Sequence, residues 1–297
     1  RGPFARPPWL ANAVRGRLKI CPQGQGVTVE ENHAMSDGDS TLAVHAGEIR
    51  PKPYGALATP IVQTSTYTFR DTAEILAFMQ EKAAGGTPVR DEYGRYSNPT
   101  QGVAEAKLAG LEGAERALLF ASGMAAITTT LATLLSSGDH LVLIRDCYHR
   151  TREFALTFLQ RWGIETTLLP AADAAALPGL LRPETRLIFC ETPTNPYLRV
   201  VDLGRLVQVA QGCGALTVVD STFATPLNLR PLSLGVDLVI HSATKYLGGH
   251  NDLLAGVVAG SATLLARLEK ARGVMGGMSN PHDAYLLIRG LNTLDLR

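Results

Sequence analysis

Short apolar runs alternate with longer helical patterns from residue 117 towards the end of the chain. Each run is followed by a turn or a helix-capping residue, which is typical of β-strands that alternate with α-helices. The seven runs occupy residues 117–120, 141–144, 166–169, 187–190, 216–219, 238–240 and 256–258. Because continuous apolar runs are buried on both faces, the pattern predicts an α/β fold in which helices cover both sides of a mostly parallel seven-stranded sheet.

The stretch before residue 91 has a different pattern. Three prolines precede or border a β-branched stretch at residues 61–68, which predicts an extended N-terminal arm. A Gly-Gly-Thr-Pro segment at residues 85–88 is expected to link this arm to the α/β body. We therefore expect four regions, which are an extension at 1–34, the arm at 35–90, the α/β domain at 91–285 and the start of a further domain at 286–297.

The two ends of the chain differ from its body. The first 34 residues are basic and contain neither a serine nor an acidic residue before Glu30. A transit peptide is also basic but usually rich in serine, so we favour the hypothesis that Met35 is the biological start and that residues 1–34 are a non-native or unstructured extension. At the other end an amphipathic pattern runs through Leu291 and Leu294 to Arg297 without a stop signal, so we expect the further domain to be truncated.

Composition narrows the classes of partner. The chain has 297 residues, and 28 Lys+Arg against 27 Asp+Glu leave a net charge of +1, so no overall charge favours nucleic acid or anionic lipid. None of the apolar runs approaches the roughly 18 residues that a membrane-spanning helix needs. The four cysteines form no C-x-x-C pair, which argues against a zinc ribbon, a redox pair or a secreted disulfide scaffold. We expect a cytoplasmic protein whose partners are small molecules.

The residues that follow the predicted strands are the place to look for a binding site, since an open parallel sheet binds ligands at the carboxyl ends of its strands. After residues 117–120, Ser122, Gly123 and Met124 open a helix whose free amide groups suit a phosphate. Such small-residue turns also serve tight packing, so the alternative stays open. After residues 187–190, a loop with two prolines fixes Asn195 near the strand end, and a plain turn is the alternative there.

Two further strand ends carry a charged residue. Asp220 directly follows residues 216–219, where it either meets a cationic partner or caps the next segment. Lys245 follows residues 238–240, together with Ser242 and Thr244 and ahead of two glycines. A lysine is usually solvated, but a lysine held in a cleft at a strand end loses its hydration, which makes the amine a nucleophile.

Together these strand ends supply a phosphate cradle, a carboxylate for a pyridinium nitrogen and an amine for a Schiff base. Those are the parts that a pyridoxal 5′-phosphate site needs. The motifs of other α/β sites are missing, since no G-x-G-x-x-G follows a strand and the sequence contains no G-x-x-x-x-G-K-[ST], H-E-x-x-H or G-x-S-x-G. The histidines show no metal-ligand spacing, so we expect no metal site.

Several longer motifs follow one another between residues 40 and 297. They are A-V-H-A-G-E at 43–48, Y-G-R-Y-S-N-P-T at 93–100, S-G-M at 122–124, E-T-P-T-N-P at 191–196, V-D-S-T-F at 219–223 and the segment 241–252. On these motifs the chain resembles the Cys/Met-metabolism (trans-sulfuration) family of fold-type I pyridoxal phosphate enzymes, and most closely its plant-type cystathionine γ-synthase branch. The resemblance implies a cofactor-binding domain at 91–285 and a small C-terminal domain of which this chain carries only the start.

The resemblance also implies a role for each candidate residue. Lys245 would form the Schiff base and shuttle protons, while Asp220 would keep the pyridinium nitrogen protonated. Tyr148 would stack on the cofactor ring, and Asn195 would lie near its phenolic oxygen or the substrate. The phosphate would be held by Gly123, Met124, Ser242 and Thr244 of one subunit and by Tyr93 and Arg95 of a neighbour. For that reason we expect a homo-oligomer, a dimer of dimers.

The segment Tyr148-His149-Arg150 is the clue to the branch, because a tyrosine followed by basic residues resembles the plant-type synthases rather than the usual Tyr-Gly-Gly-Thr. The implied transferase reaction is a γ-replacement, in which an O-activated homoserine ester and L-cysteine give cystathionine for methionine biosynthesis. We expect His149 and Arg150 to favour an anionic leaving group. The alternatives are a cystathionine γ- or β-lyase, an O-acetyl- or O-succinylhomoserine sulfhydrylase, and a cofactor-binding subunit without turnover.

Overall fold

A sheet of seven strands lies at the centre of the computed structural model, which describes residues 37–48, 50–84 and 90–297. The strands are β1 (Arg116–Phe120), β2 (His140–Ile144), β3 (Glu165–Leu169), β4 (Thr185–Glu191), β5 (Leu216–Asp220), β6 (Leu238–His241) and β7 (Gly256–Gly260). Their order across the sheet is β1-β7-β6-β5-β4-β2-β3. Strand β7 runs antiparallel to both of its neighbours, whereas the strands from β6 to β3 are all parallel.

Each predicted apolar run lies within one of these strands, and the mostly parallel α/β fold is confirmed. Three strands continue past their apolar run by one polar residue. These residues are Glu191 on β4, Asp220 on β5 and His241 on β6. The apolar pattern ends before them, but the backbone pairing does not, because Glu191 still pairs in register with Asp220.

Helices cover both faces of the sheet, as the two-sided apolar strands require. They are α1 (Asp37–His45), α2 (Thr72–Ala83), α3 (Pro99–Glu112), α4 (Gly123–Leu134), α5 (His149–Phe154), α6 (Leu203–Cys213), α7 (Thr225–Asn228), α8 (Ala262–Met275) and α9 (Pro281–Leu291). Helices α4, α5 and α8 bury apolar side chains on one face, and α3, α6 and α9 do so on the other. A π-helical turn at Ala155–Leu159 continues α5.

The region before residue 91 contains the helices α1 and α2, which the sequence pattern did not predict. Helix α2 follows Asp71, whose carboxylate accepts a hydrogen bond from the Glu74 amide at 2.8 Å, so an Asp-x-x-Glu start signal was present. The intervening residues 61–68 form no helix, and one β-bridge joins Thr66 to Tyr93. The expected extension at 1–34, the expected start at Met35 and the link at 85–88 lie outside the described residues.

Helix α9 packs against the same core as α3. Its residues Ala284 and Leu287 are fully buried among apolar side chains of β1 and β7. The helix begins before residue 286, where we expected a further domain to start, and the bounds of the four expected regions stay predictions. Within the described ranges, no helix combines the length and the apolar character that crossing a membrane requires.

Candidate active site

The carboxyl ends of β4, β5 and β6 bring three ionisable side chains together. Glu191 pairs in register with Asp220, and Asp220 pairs with Ile240, the residue before His241. Glu191 and Asp220 are each 5% exposed, and His241 is 0% exposed. Ligands of parallel sheets bind at the carboxyl ends of the strands, and ionisable groups with shifted pKa values are common at functional sites. These three buried side chains therefore mark a candidate site.

Asp220 is tied to the turn after β6 through Thr222. The amide and the hydroxyl of Thr222 donate hydrogen bonds to Asp220 Oδ1, at 3.0 and 2.5 Å. The same hydroxyl accepts a hydrogen bond from the Ser242 amide at 2.8 Å. Burial raises the pKa of Asp220, while the Thr222 hydrogen bonds and positive charge on His241 lower it in part. No described residue donates a hydrogen bond to Oδ2, which leaves this oxygen for a ligand nitrogen.

Glu191 is a site residue that the sequence analysis did not assign. Its Oε2 accepts a hydrogen bond from the Tyr148 amide at 2.7 Å, and the Asn195 amide also donates to this carboxylate. Burial and the neighbouring carboxyl of Asp220 raise the pKa of Glu191 to about 8. A carboxyl one position past an apolar run was the available signal, but its closeness to Asp220 depends on how β4 pairs with β5.

The structure brings together Tyr148 and Asn195, the two residues that we expected beside the cofactor ring. Glu191 holds the backbone amides of both, so the loops after β2 and β4 are joined at the strand ends. The ring of Tyr148 is 38% exposed and makes an edge contact with the His149 ring, with 4.7 Å between centroids. The structure therefore brings this predicted pair next to Asp220.

The turn Ser122-Gly123-Met124 opens α4 beside the turn that follows β6. The hydroxyl of Ser122 accepts a hydrogen bond from the amide three residues later at 3.0 Å. The amides of Gly123 and Met124 come before the first helical hydrogen bonds, and neither has a partner among the described residues. A Cβ on Gly123 would lie only 2.8 Å from the Ser242 Cβ, so only glycine fits. Free amides at a helix N-terminus suit a phosphate.

The turn after β6 presents its three candidate residues in different ways. Ser242 is half-buried against Gly123. The hydroxyl of Thr244 donates to the Ala255 carbonyl at 3.2 Å and accepts from the Ala255 amide at 3.0 Å, so this hydroxyl is engaged rather than free. Lys245 is exposed, and no described residue bonds its ammonium group. The described residues therefore do not form the expected desolvating cleft around the Lys245 side chain.

A cleft of about 790 Å³ opens beside Tyr148 and Asn195. The charged side chains and the histidine that line it are Arg145, Asp146, His149, Arg152 and Arg199. Three guanidinium groups against one carboxylate make the cleft positive, which suits an anionic substrate group. The sequence analysis did not identify these arginines, because Arg145 and Arg152 follow β2, with Arg152 on α5, whereas Arg199 follows β4. The pairing of β2 with β4 brings them together.

Arg150 does not line this cleft. Its guanidinium pairs with the Glu153 carboxylate at 2.6 Å, and both residues border a separate apolar groove. Consecutive residues on a helix point about 100° apart, and α5 begins at His149, so His149 and Arg150 face different directions. His149 thus lines the cleft and Arg150 does not, and the expectation that this basic pair favours an anionic leaving group stays a prediction.

Tyr93 and Arg95 lie near α8 rather than at the strand ends. The Arg95 guanidinium donates to the Gly273 carbonyl at 2.6 Å and lies 4.9 Å from the centre of the Tyr96 ring. Tyr93 is 40% exposed. In the part of the chain that the structure describes, neither residue contacts Asp220 or Ser242. Their role at the phosphate of a neighbouring subunit stays a prediction.

Comparisons with known proteins agree with the motifs. The model of the family "Cys/Met metabolism PLP-dependent enzyme" matches residues 40–297. The chain is 46% identical over 271 residues to the chloroplastic cystathionine γ-synthase 1 of Arabidopsis thaliana, which covers 90% of this chain and 47% of that protein. It is 42% identical over 262 residues to an L-methionine γ-lyase of Pseudomonas putida, which covers 88% of this chain and 65% of the relative.

A solved structure agrees with the fold. The crystal structure of metB from Corynebacterium glutamicum is similar with a TM-score of 0.80 and 35% identity, over 88% of this chain and 65% of that one. The chain spans about half the length of the curated plant relatives that it matches. Synthases and lyases match this chain at comparable identity. The similarity therefore supports the cofactor chemistry that these enzymes share, and it does not single out one reaction.

Proposed function

Because the chain belongs to the Cys/Met metabolism family of pyridoxal 5′-phosphate-dependent enzymes, we propose that it serves a γ-replacement in which an O-activated homoserine ester and L-cysteine give cystathionine. The observation that carries this proposal is the basic cleft beside Tyr148. An ester whose leaving group is an anion fits three guanidinium groups better than an uncharged γ-substituent does.

The residues at the strand ends fit pyridoxal 5′-phosphate. The free amides of Gly123 and Met124 suit its phosphate, and the narrow approach at Gly123 keeps the Ser242 hydroxyl next to them. The buried Asp220 carboxyl suits its pyridine nitrogen, and the exposed amine of Lys245 suits its carbonyl carbon. When bound, the cofactor supplies an electron sink for negative charge that develops on the substrate.

The side chains divide the remaining work. Asp220 holds a proton at the pyridine nitrogen, and Thr222 keeps its carboxylate from turning. Lys245 carries the amine that removes and returns protons on the substrate. Glu191 fixes the backbone of Tyr148, whose ring would stack on the cofactor.

Asn195 and the arginines of the cleft then orient the substrate. Arg199 lies 3.9 Å from the Asp146 carboxylate, a contact long enough for an incoming anion to compete. Binding of the leaving group at this cleft favours departure of an anion, because the guanidinium groups stabilise the charge that appears on it.

The proposal includes a homo-oligomer, a dimer of dimers, in which Tyr93 and Arg95 of one copy complete the phosphate site of another. It is supported by the exposure of Lys245, whose side chain a second copy would cover. We propose the cytoplasm as the compartment on the pattern of cysteines, of which Cys147 and Cys190 are buried as free thiols.

Absorbance spectroscopy and product analysis of the intact protein test the proposal. We expect visible absorbance from bound cofactor, which borohydride bleaches while it fixes the cofactor to the peptide that contains Lys245. Lys245→Ala should abolish this attachment, and Lys270→Ala, at an exposed lysine on α8, is the matched control. Cystathionine should form from O-phospho-, O-succinyl- or O-acetylhomoserine only when cysteine is also present.

Other outcomes would identify the alternatives. A keto acid released from cystathionine or methionine would indicate a lyase, which the 42% identity to lyases makes the second candidate. Homocysteine formed from an ester and sulfide would indicate a sulfhydrylase. Cofactor attachment without any of these products would indicate a cofactor-binding subunit without turnover.

A further inference from the structure

A buried polar pair joins the end of α3 to the end of β6. His241 Nε2 and Glu112 Oε1 are 2.5 Å apart, and both side chains are 0% exposed. Glu112 is the last residue of α3, and His241 is the last residue of β6. The pair therefore fixes the point at which the chain leaves the sheet to form the turn with Ser242 and Lys245.

The pair is a poor way to stabilise a core. His241 Nδ1 and Glu112 Oε2 have no hydrogen-bond partner although they are buried. An unpartnered buried polar atom costs stability, and an apolar pair of similar volume is often as stable as a buried ion pair or more so. A reason other than stability is therefore needed for these two residues among the apolar side chains around them.

The peptide bond from His241 to Ser242 and two hydrogen bonds connect the pair to Asp220. The amide of Ser242, the residue after His241, donates to the Thr222 hydroxyl at 2.8 Å. That hydroxyl donates to Asp220 Oδ1 at 2.5 Å. The Ser242 side chain lies against Gly123, so a shift of residue 242 would disturb both the phosphate cradle and the carboxylate.

We propose that Glu112 and His241 are positioning residues for the cofactor site, which hold the Ser242 amide on Thr222 and thereby hold Asp220. This inference rests on the proposed function, since it concerns the same site. It assigns a role to α3, which contributes no residue to that site. The ionisable groups near the Asp220 carboxyl include Glu191 and His241. Replacing His241 therefore changes the charge near Asp220 as well as the position of the Ser242 amide.

The test uses the intact protein loaded with cofactor and a variant that removes the pair without leaving a buried charge, Glu112→Leu/His241→Leu. The readouts are the hydrogen exchange of the Ser242 amide and the rate of cofactor release. The control is His140→Leu on β2, because His140 is also buried on a strand, 1% exposed, but lies at the other end of the sheet. His241→Gln should retain the wild-type values, since its amide can still donate to Glu112.

We expect Ser242 exchange and cofactor release to become about fivefold to tenfold faster in the leucine pair, the effect of one lost hydrogen bond. His140→Leu should lower the melting temperature without changing either rate. Equal rates in the leucine pair and the wild type would overturn the proposal, as would equal acceleration by His140→Leu. If the leucine pair does not fold, His241→Asn replaces it, because asparagine is too short to reach Glu112, and the same outcomes decide.

A double-mutant cycle with Thr222→Val checks the route. If the pair acts through the Ser242 amide and Thr222, the combined variant releases cofactor little faster than the faster of the two parents. Effects that multiply would show that the pair does not act through Thr222, which contradicts the inference. A wild-type protein that never binds the cofactor would instead refute the proposed function.

Discussion

The two ends of the sheet treat their buried polar groups differently. At the amino ends of the strands, His140 bonds Thr185 and Thr167 through its two ring nitrogens, each at 2.8 Å, so neither nitrogen lacks a partner. At the carboxyl ends, Asp220 and Glu191 are buried side by side, and Ser221 Oγ and His241 Nδ1 have no partner. Polar groups that satisfy one another stabilise a fold, whereas groups left incomplete are available to a ligand.

Replacing one carboxylate at each end should separate these roles most strongly. Asp220→Asn should lower turnover by at least about a hundredfold, because it removes the charge opposite the cofactor nitrogen. The matched variant is Asp237→Asn at the amino end, where Asp237 accepts hydrogen bonds from the Thr217 amide and hydroxyl at 2.8 and 2.7 Å. It should cost about 1 kcal/mol of unfolding free energy and leave turnover nearly unchanged. Steady-state kinetics and urea unfolding measure the turnover and the stability of both variants. Equal losses of turnover would show that the two ends of the sheet do not differ in function.

A methyl group in the phosphate cradle should have the next largest effect. Gly123→Ala forces a Cβ to within 2.8 Å of the Ser242 Cβ, so we expect about tenfold weaker binding of the cofactor. Gly212→Ala on α6 is the control, since a Cβ there meets nothing within 4 Å. Titration of the stripped proteins with cofactor gives both affinities. Wild-type affinity in Gly123→Ala would place the phosphate elsewhere.

The raised pKa of Glu191 predicts a pH dependence of stability. With its pKa raised to about 8, the folded protein binds more protons than the unfolded chain between the ordinary glutamate range and pH 8. The free energy of unfolding should therefore fall as the pH rises through this window, by at most about 1.4 kcal/mol per pH unit, and level off above it.

Glu191→Gln should remove most of this slope, because glutamine keeps an acceptor for the Tyr148 amide but does not titrate. Urea unfolding of both proteins between pH 5 and 9 tests it. Some slope should persist in the variant from Asp220, whose pKa burial also raises. Parallel curves for variant and wild type would mean that Glu191 titrates normally.

Replacing an arginine at each end of the sheet should give the smallest difference, which we expect in the KM for the esters. Arg199→Ala should raise KM for phosphoryl and succinyl esters about threefold to fivefold more than for the acetyl ester, because one of three guanidinium groups is lost. Arg186→Ala at the amino end of β4 is the control, where Arg186 lies 3.6 Å from the Asp139 carboxylate. An unchanged preference among the esters in Arg199→Ala would argue against the cleft as the leaving-group site.

Much of the fold was predictable because it depends on local pattern. The apolar runs predicted all seven strands, and the polar residue after the fifth run predicted that Asp220 stands at a strand end. The turn at Gly123 was also predictable, since Ser-Gly before an apolar helix indicates an N-terminus. These features are set by neighbours in the sequence.

Two of the missed features depend on pairings between distant segments. Glu191 became a site residue through the register of β4 on β5, and the arginines of the cleft met through the pairing of β2 with β4. The direction of Arg150 depended on where α5 begins, a matter of one residue. Helix α2 was overlooked although Asp71 caps it and Ile75, Phe78 and Met79 follow helical spacing.

The reversed strand β7 has a consequence for the lysine. Because β7 runs antiparallel to β6, the segment that carries Lys245 leaves the sheet and returns to it at the same edge, and Thr244 and Ala255 close it as neighbours. A parallel connection would have carried the chain to the far edge and left the lysine on an open strand end. Closing the segment in this way lowers its conformational entropy before a ligand binds. Binding then costs less conformational entropy, because the segment is already ordered.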